Sequence, residues 1–213
     1  MDCGPCVLDL LGVLLAVSAW ICSLSTTLMS TWLTLSTDLL PTEIYELGLW
    51  STCVVHDLGG LECQPYNSVL GLPPDIQLAR ILMVSALSTG LLGLLVSIPG
   101  LDMVRGCYGR HLDPLWSKRV LKGAGAVCCL FAGILGLVPV SYIAHLTVIR
   151  FFDESVPDVV PRWEFGGALF CGWIAGVLHL VSGTLLLVSC VHMPGCAPLR
   201  GHRRIIRART DYV

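Results

Sequence analysis

The chain is short of charge. Only 13% of its 213 residues are Asp, Glu, Lys or Arg, about half the share in a soluble domain, while 54% are hydrophobic. Too few polar side chains remain to cover a globule in water, and the same apolar content excludes an intrinsically disordered chain. Asparagine is nearly absent: Asn67 is the sole example, and Val69 two places on removes any glycosylation sequon. There is no basic run, so nucleic acid is not an expected partner. The six histidines are scattered, and no nucleophile, acid–base pair or metal-ligand cluster stands at working spacing. No enzymatic activity, cofactor or metal is expected.

Charge is missing in four long blocks. Residues 10–37, 81–101, 123–149 and 165–199 hold no acidic or basic residue, and each meets the ~20 residues a helix needs to cross ~30 Å of hydrocarbon. The expectation is a mainly α membrane fold with transmembrane helices at about 7–27, 80–101, 119–143 and 165–190. The first has no Lys or Arg ahead of it and reads as an uncleaved signal anchor.

Lys and Arg are also missing from one side. Segment 38–79 has six acids and no base, and 150–164 has four acids and two arginines. By contrast, 102–122 has five bases and two acids, and 200–213 has five arginines and one acid. The positive-inside rule then puts both termini and the middle loop in the cytosol of a multi-pass plasma-membrane protein. Residues 28–79 form a first extracellular segment, 144–164 a second, and 191–213 a cytosolic tail. The arginines of the tail suit anionic membrane lipid.

The first outer segment is patterned. Thr31 to Leu35 alternates, Tyr45 to Trp50 does so in part, and Gly59-Gly60 lies between Cys53 and Cys63, which reads as short antiparallel strands joined by a turn. Pro73-Pro74-Asp75 opens a helix that runs into the second span. Of eleven cysteines, only Cys53 and Cys63 lie in an outer segment, where the environment is oxidising. Paired, they staple a hairpin; the alternative is two free thiols. Cys22, Cys128, Cys129 and Cys171 read as packing residues within spans. Cys107, Cys190 and Cys196, near cytosolic helix ends, are candidates for palmitoylation. Cys3-Gly4-Pro5-Cys6 has redox-motif spacing but lacks the βαβ surroundings that chemistry requires. Inside the spans, glycines such as Gly12, Gly90, Gly125 and Gly183 permit close helix approach, and Pro139 is expected to bend the third helix. Asp9 is expected to snorkel to water and His179 to be a satisfied polar group of the bundle.

Trp32, Gly48-Leu49-Trp50, Cys53, Cys63 and Arg80 together resemble the signature of the claudin family of tight-junction proteins. The second segment adds Phe151-Phe152-Asp153, Val156-Pro157 and Arg162-Trp163-Glu164-Phe165-Gly166, and the chain ends in Tyr212-Val213. The resemblance implies a left-handed four-helix transmembrane bundle carrying a small antiparallel extracellular β-sheet. It also implies polymerisation with other claudins in cis and in trans, in strands that seal or selectively open the paracellular space. An adhesion loop would contain Phe151, Phe152, Trp163 and Glu164. Asp211, Tyr212 and Val213 would bind PDZ scaffold proteins of the zonula occludens type. The family's pore-facing positions fall at His56 and Gln64. Asp57 and Glu62 adjoin them and are further pore-lining candidates, the alternative being that they point to the other face of their strands. A mild cation preference follows, weakening in acid as His56 gains charge. The alternative function is an auxiliary tetraspan subunit of a channel or other membrane complex.

Overall fold

The computed structural model describes residues 4–36, 43–56, 60–66, 68, 71–100, 114–153 and 161–192. Four helices, α1 (Gly4–Leu28), α2 (Pro74–Gly100), α3 (Pro114–Phe151) and α4 (Gly167–His192), are each long and apolar enough to cross a membrane. Five strands make one sheet: β1 (Leu33–Ser36), β2 (Glu43–Leu47), β3 (Ser51–His56), β4 (Leu61–Pro65) and β5 (Glu164–Phe165).

Hydrocarbon offers no hydrogen bonds, so every polar group in a span must find its partner inside the protein. Many helical hydroxyls bond back to their own helix: Thr26 to the Cys22 carbonyl at 2.9 Å, Thr27 to Ser23 at 2.7 Å, Ser97 to Gly93 at 2.7 Å and Thr147 to Ile143 at 2.8 Å. On α1, Leu10, Leu14, Val17 and Ile21 are exposed, forming a lipid-facing stripe at helical spacing, while Ala16, Ala19, Ser23 and Thr26 are buried. Round the bundle the neighbours run α1, α2, α3, α4, so α1 and α3 stand on a diagonal. Packing is close enough to need glycine: a Cβ on Gly125 of α3 would lie 2.8 Å from the Gly93 carbonyl oxygen of α2.

Two helices overrun the apolar blocks. α2 starts at Pro74, where the Pro73 carbonyl accepts from Ile76 N at 3.1 Å and Asp75 occupies the first turn, an arrangement favoured by proline's fixed φ and the helix dipole. α3 continues through Pro139 to Phe151, beyond the expected end at 143. Its 38 residues make a rod of about 57 Å at 1.5 Å per residue, nearly twice the hydrocarbon thickness. Residues 144–151 carry no glycine or proline to stop them.

The sheet is antiparallel with order β4-β3-β2-β1-β5. Cys53 pairs with Cys63 directly across β3 and β4, their Cα atoms 4.1 Å apart, and the two form a disulfide. The second outer segment joins the same sheet: Gly166 N donates to the Trp32 carbonyl at 3.0 Å and Ala168 N to Thr31 at 3.0 Å.

Two expectations for the spans are corrected. Asp9 does not reach water; it is 3% exposed and bonded to Lys122, itself 0% exposed. A carboxylate and an ammonium that meet inside the bundle need not pull their helix ends outward to solvent. His179 is buried, and neither ring nitrogen has a partner among the described residues. Its imidazole crosses to α2 at Gly90, where a Cβ would lie 3.1 Å from His179 Cε1, and glycine offers no side-chain acceptor.

The cross-strand disulfide closes a separation of 10 residues, a stabilisation of roughly 2–3 kcal/mol on the loop-entropy account. Cys53→Ser is therefore expected to lose most of its cell-surface protein, read by surface antibody binding to an epitope tag in the second outer segment. Non-reducing peptide mapping of the wild type is expected to recover neither Cys53 nor Cys63 as a free thiol.

Candidate functional site

The residues of the sequence signature gather where the sheet meets the helices. α1 ends at Leu28, and the last carbonyls of a helix lack intrahelical partners. Met29 N takes the Ser25 carbonyl at 2.9 Å, the Trp32 indole donates to Thr26 at 2.9 Å, and the Trp50 indole donates to Thr27 at 2.8 Å. Both tryptophans thus cap α1 from the sheet side. The turn between β2 and β3 is held in the same way. Tyr66 donates its hydroxyl to the Gly48 carbonyl at 3.1 Å, and Arg80 Nε reaches the Leu49 carbonyl at 2.5 Å. Gly48 passes so close to α1's end that a Cβ would sit 2.7 Å from Ser30 Cα. No other residue fits there without moving the backbone.

Arg80 is buried between two aromatic rings, its guanidinium 4.9 Å from the Trp50 centroid and 5.2 Å from that of Tyr66. Contact with ring faces favours the cation, and the planar group suits stacking where a lysine ammonium does not. Trp32 and Leu49 then enter one apolar cluster with Ala79 and Met83 of α2, Val140, Ile143 and Ala144 of α3, and Ala168 and Leu169 of α4.

The register lays out one face of the sheet in two rows. One runs Phe165, Leu33, Leu47, Thr52, Gln64; the other runs Leu35, Tyr45, Val54, Glu62. His56, two residues beyond Val54, shares that face. Of the two faces left open for Glu62, the register gives the one shared with His56 and Gln64. Glu62 and Gln64 are two residues apart, and Glu62 lies opposite Val54, so alternation puts all three on one side. Glu62 and Gln64 are exposed on the edge strand β4. Asp57 lies outside the described residues.

A second feature stands at the tip of α3. Phe152 is 72% exposed, far more than a packing residue, and meets Phe151 edge-on at 5.3 Å. Arg162 holds this tip: it donates to the Phe151 carbonyl and places its guanidinium 5.5 Å from the Phe151 ring. Trp163 is half-buried beside it, and Glu164 is exposed on β5 opposite Thr34. Tyr66 was not singled out from sequence; its signal is an aromatic three residues after Cys63. Cys190 is buried, its thiol 3.4 Å from the Arg119 carbonyl oxygen. Cys107, Cys196, Asp211, Tyr212 and Val213 lie outside the described residues.

A four-span bundle crowned by a disulfide-stapled sheet, with the sheet anchored through tryptophans and a buried arginine, defines a class of membrane protein. Residues 6–186 match the PMP-22/EMP/MP20/Claudin family. Claudin-3 of Mus musculus is 34% identical over 196 residues, covering 91% of this chain and 87% of the relative. Claudin-9 of Homo sapiens is 37% identical over 171 residues, covering 79% and 76%. Claudin-7 of Mus musculus is 33% identical over 199 residues, covering 92% of each. The chain belongs to the claudin family. It is accordingly a multi-pass membrane protein of the tight junction, in a family of structural junction proteins rather than enzymes.

Arg80→Lys keeps the charge and loses the stacked plane and the Nε donor. It is expected to cost about 2–4 kcal/mol, from a charged hydrogen bond and two ring contacts. Trp50→Phe keeps an aromatic ring and loses the cap, an expected cost of about 1 kcal/mol. Midpoints of thermal unfolding in detergent should fall in the order wild type, Trp50→Phe, Arg80→Lys.

Proposed function

We propose that this claudin polymerises in cis within one membrane and in trans with claudins of the facing cell, into strands that seal the space between cells. The strands pass small cations slightly better than anions. The sheet and the α3 tip face outward and both termini are cytosolic, in keeping with the acids of 38–79 and the bases of 102–122 and 200–213. The observation that carries the reading is the shared face of His56, Glu62 and Gln64. A pathway along that face meets one exposed carboxylate beside a neutral amide and an imidazole. Such a surface attracts cations weakly and excludes bulk flow by its bordering apolar residues, Leu33, Leu47 and Val54. Phe151, Phe152, Trp163 and Glu164 form the adhesive contact, with apolar area concentrated at the most exposed point.

On the cytosolic side, Asp211-Tyr212-Val213 presents a terminal carboxylate and an apolar last side chain to PDZ scaffolds of the zonula occludens type, as an added strand. The arginines of the tail lie against anionic lipid. Acylation, if it anchors the tail, falls to Cys107 and Cys196, since Cys190 turns into the bundle.

Dilution potentials across monolayers expressing the chain alone test the selectivity. The expected result is a slight sodium preference at neutral pH. Glu62→Gln is expected to abolish the preference. A chloride preference in the wild type refutes the charge argument. Freeze-fracture of transfected fibroblasts should show continuous strands; isolated particles would favour the auxiliary-subunit reading. Deleting Val213 is expected to abolish pull-down by zonula occludens PDZ domains while leaving strand formation intact.

A further inference from the structure

The end of the bundle away from the sheet holds a polar cluster that neither sealing nor adhesion uses. Lys122 Nζ of α3 lies 2.6 Å from Asp9 Oδ2 of α1 and 3.5 Å from Ser189 Oγ of α4. The Ser189 hydroxyl donates to the other Asp9 oxygen. All three residues fall inside the membrane-spanning stretches Val7–Leu28, Arg119–Phe151 and Gly167–Val191. Lys122 and Ser189 are 0% exposed and Asp9 is 3% exposed.

Their position argues against incidental pairing. Asp9 and Lys122 stand near the ends of their spans, where a carboxylate or a long ammonium stem ordinarily turns outward to headgroup water. Both instead turn inward and meet across the diagonal of the bundle. The diagonal can close only when α4 sits beside α1. That seam is prepared by Ser182, whose hydroxyl donates to the Gly12 carbonyl at 2.7 Å, and by Leu186, which fills the space over Gly12. Ser182 and Ser189 are two turns apart on one face of α4, so the same stripe that packs α1 completes the ionic cluster. A permeation or proton path is not a fitting use, because the charges are sealed from solvent on every side.

We infer that Asp9 and Lys122 are a matched pair that makes the assembly of α1 and α3 mutually conditional. Each helix carries into the membrane a charge that only the other neutralises within the finished bundle. The pair is an assembly checkpoint: a chain whose first and third helices have not met retains an uncompensated intramembrane charge and is withheld from the cell surface. The distinguishing property is conditionality. Removing one partner strands the other, whereas removing both leaves an apolar interior that packs without the pair.

The experiment uses the full chain with an epitope tag inserted in the first outer segment and reads cell-surface abundance by antibody binding to unpermeabilised cells, with the thermal midpoint in detergent as a second readout. Asp9→Leu and Lys122→Leu are each expected to lower surface abundance several-fold and to lower the midpoint. The double variant Asp9→Leu/Lys122→Leu is expected to recover towards wild type in both. Wild-type abundance of either single variant overturns the inference. So does a double variant as impaired as the worse single, since the two sites would then act without coupling.

Discussion

Arg80 lies where two unlike structures have to be made one. A sheet of five short strands is too small to own a hydrophobic core, and the described residues give it none. Trp32 and Leu49, its large buried side chains, share their cluster with α2, α3 and α4. The sheet is therefore rigid only to the extent that it is fastened to the helix tips. Arg80 does this from α2, binding the Leu49 carbonyl and filling the slot between Trp50 and Tyr66. Trp32 and Trp50 do it from the sheet, closing the open carbonyls of α1. The family signature is on this account a joint. His56, Glu62 and Gln64 are carried beyond it, on β3 and β4.

Within the bundle the governing condition is that nothing polar can be left to the solvent. Threonines and several serines fold back on their own helices, Ser182 and Ser189 reach α1, glycines let the backbones approach, and the one described pair of buried opposite charges closes on itself. His179 departs from this, with a ring that crosses to Gly90 and finds no acceptor among the described residues. A buried imidazole of this kind is costly to keep, which marks the centre of the bundle as its least settled layer.

The spans were legible because hydrocarbon imposes a long, charge-free block that few other demands produce, and the sheet was legible from alternation between turn residues. The seam was only half legible. Trp32, Trp50 and Arg80 could be named from their spacing, but not what they do, since a tryptophan that caps another helix and one that floats at an interface look alike in sequence. The face of Glu62 stayed open for a local reason: whether it shares a side with His56 depends on the register of β4 against β3, which the turn between them sets. Asp9 failed for a distant one: nothing near residue 9 says that Lys122, 113 positions later, will stand across the bundle from it.

The overrun of α3 has a geometric consequence. Because the helix continues unbroken to Phe151, the height of the aromatic tip above the bilayer is counted in helical residues, not left to a pliable loop. Each residue added to or removed from that post shifts the tip by about 1.5 Å and rotates it by about 100°. Height and bearing cannot be adjusted independently. A whole turn would be needed to restore the original bearing, at a cost of about 5.4 Å in reach. The post therefore acts as a ruler with coarse graduations, and the exposed Phe152 can be set only at its steps.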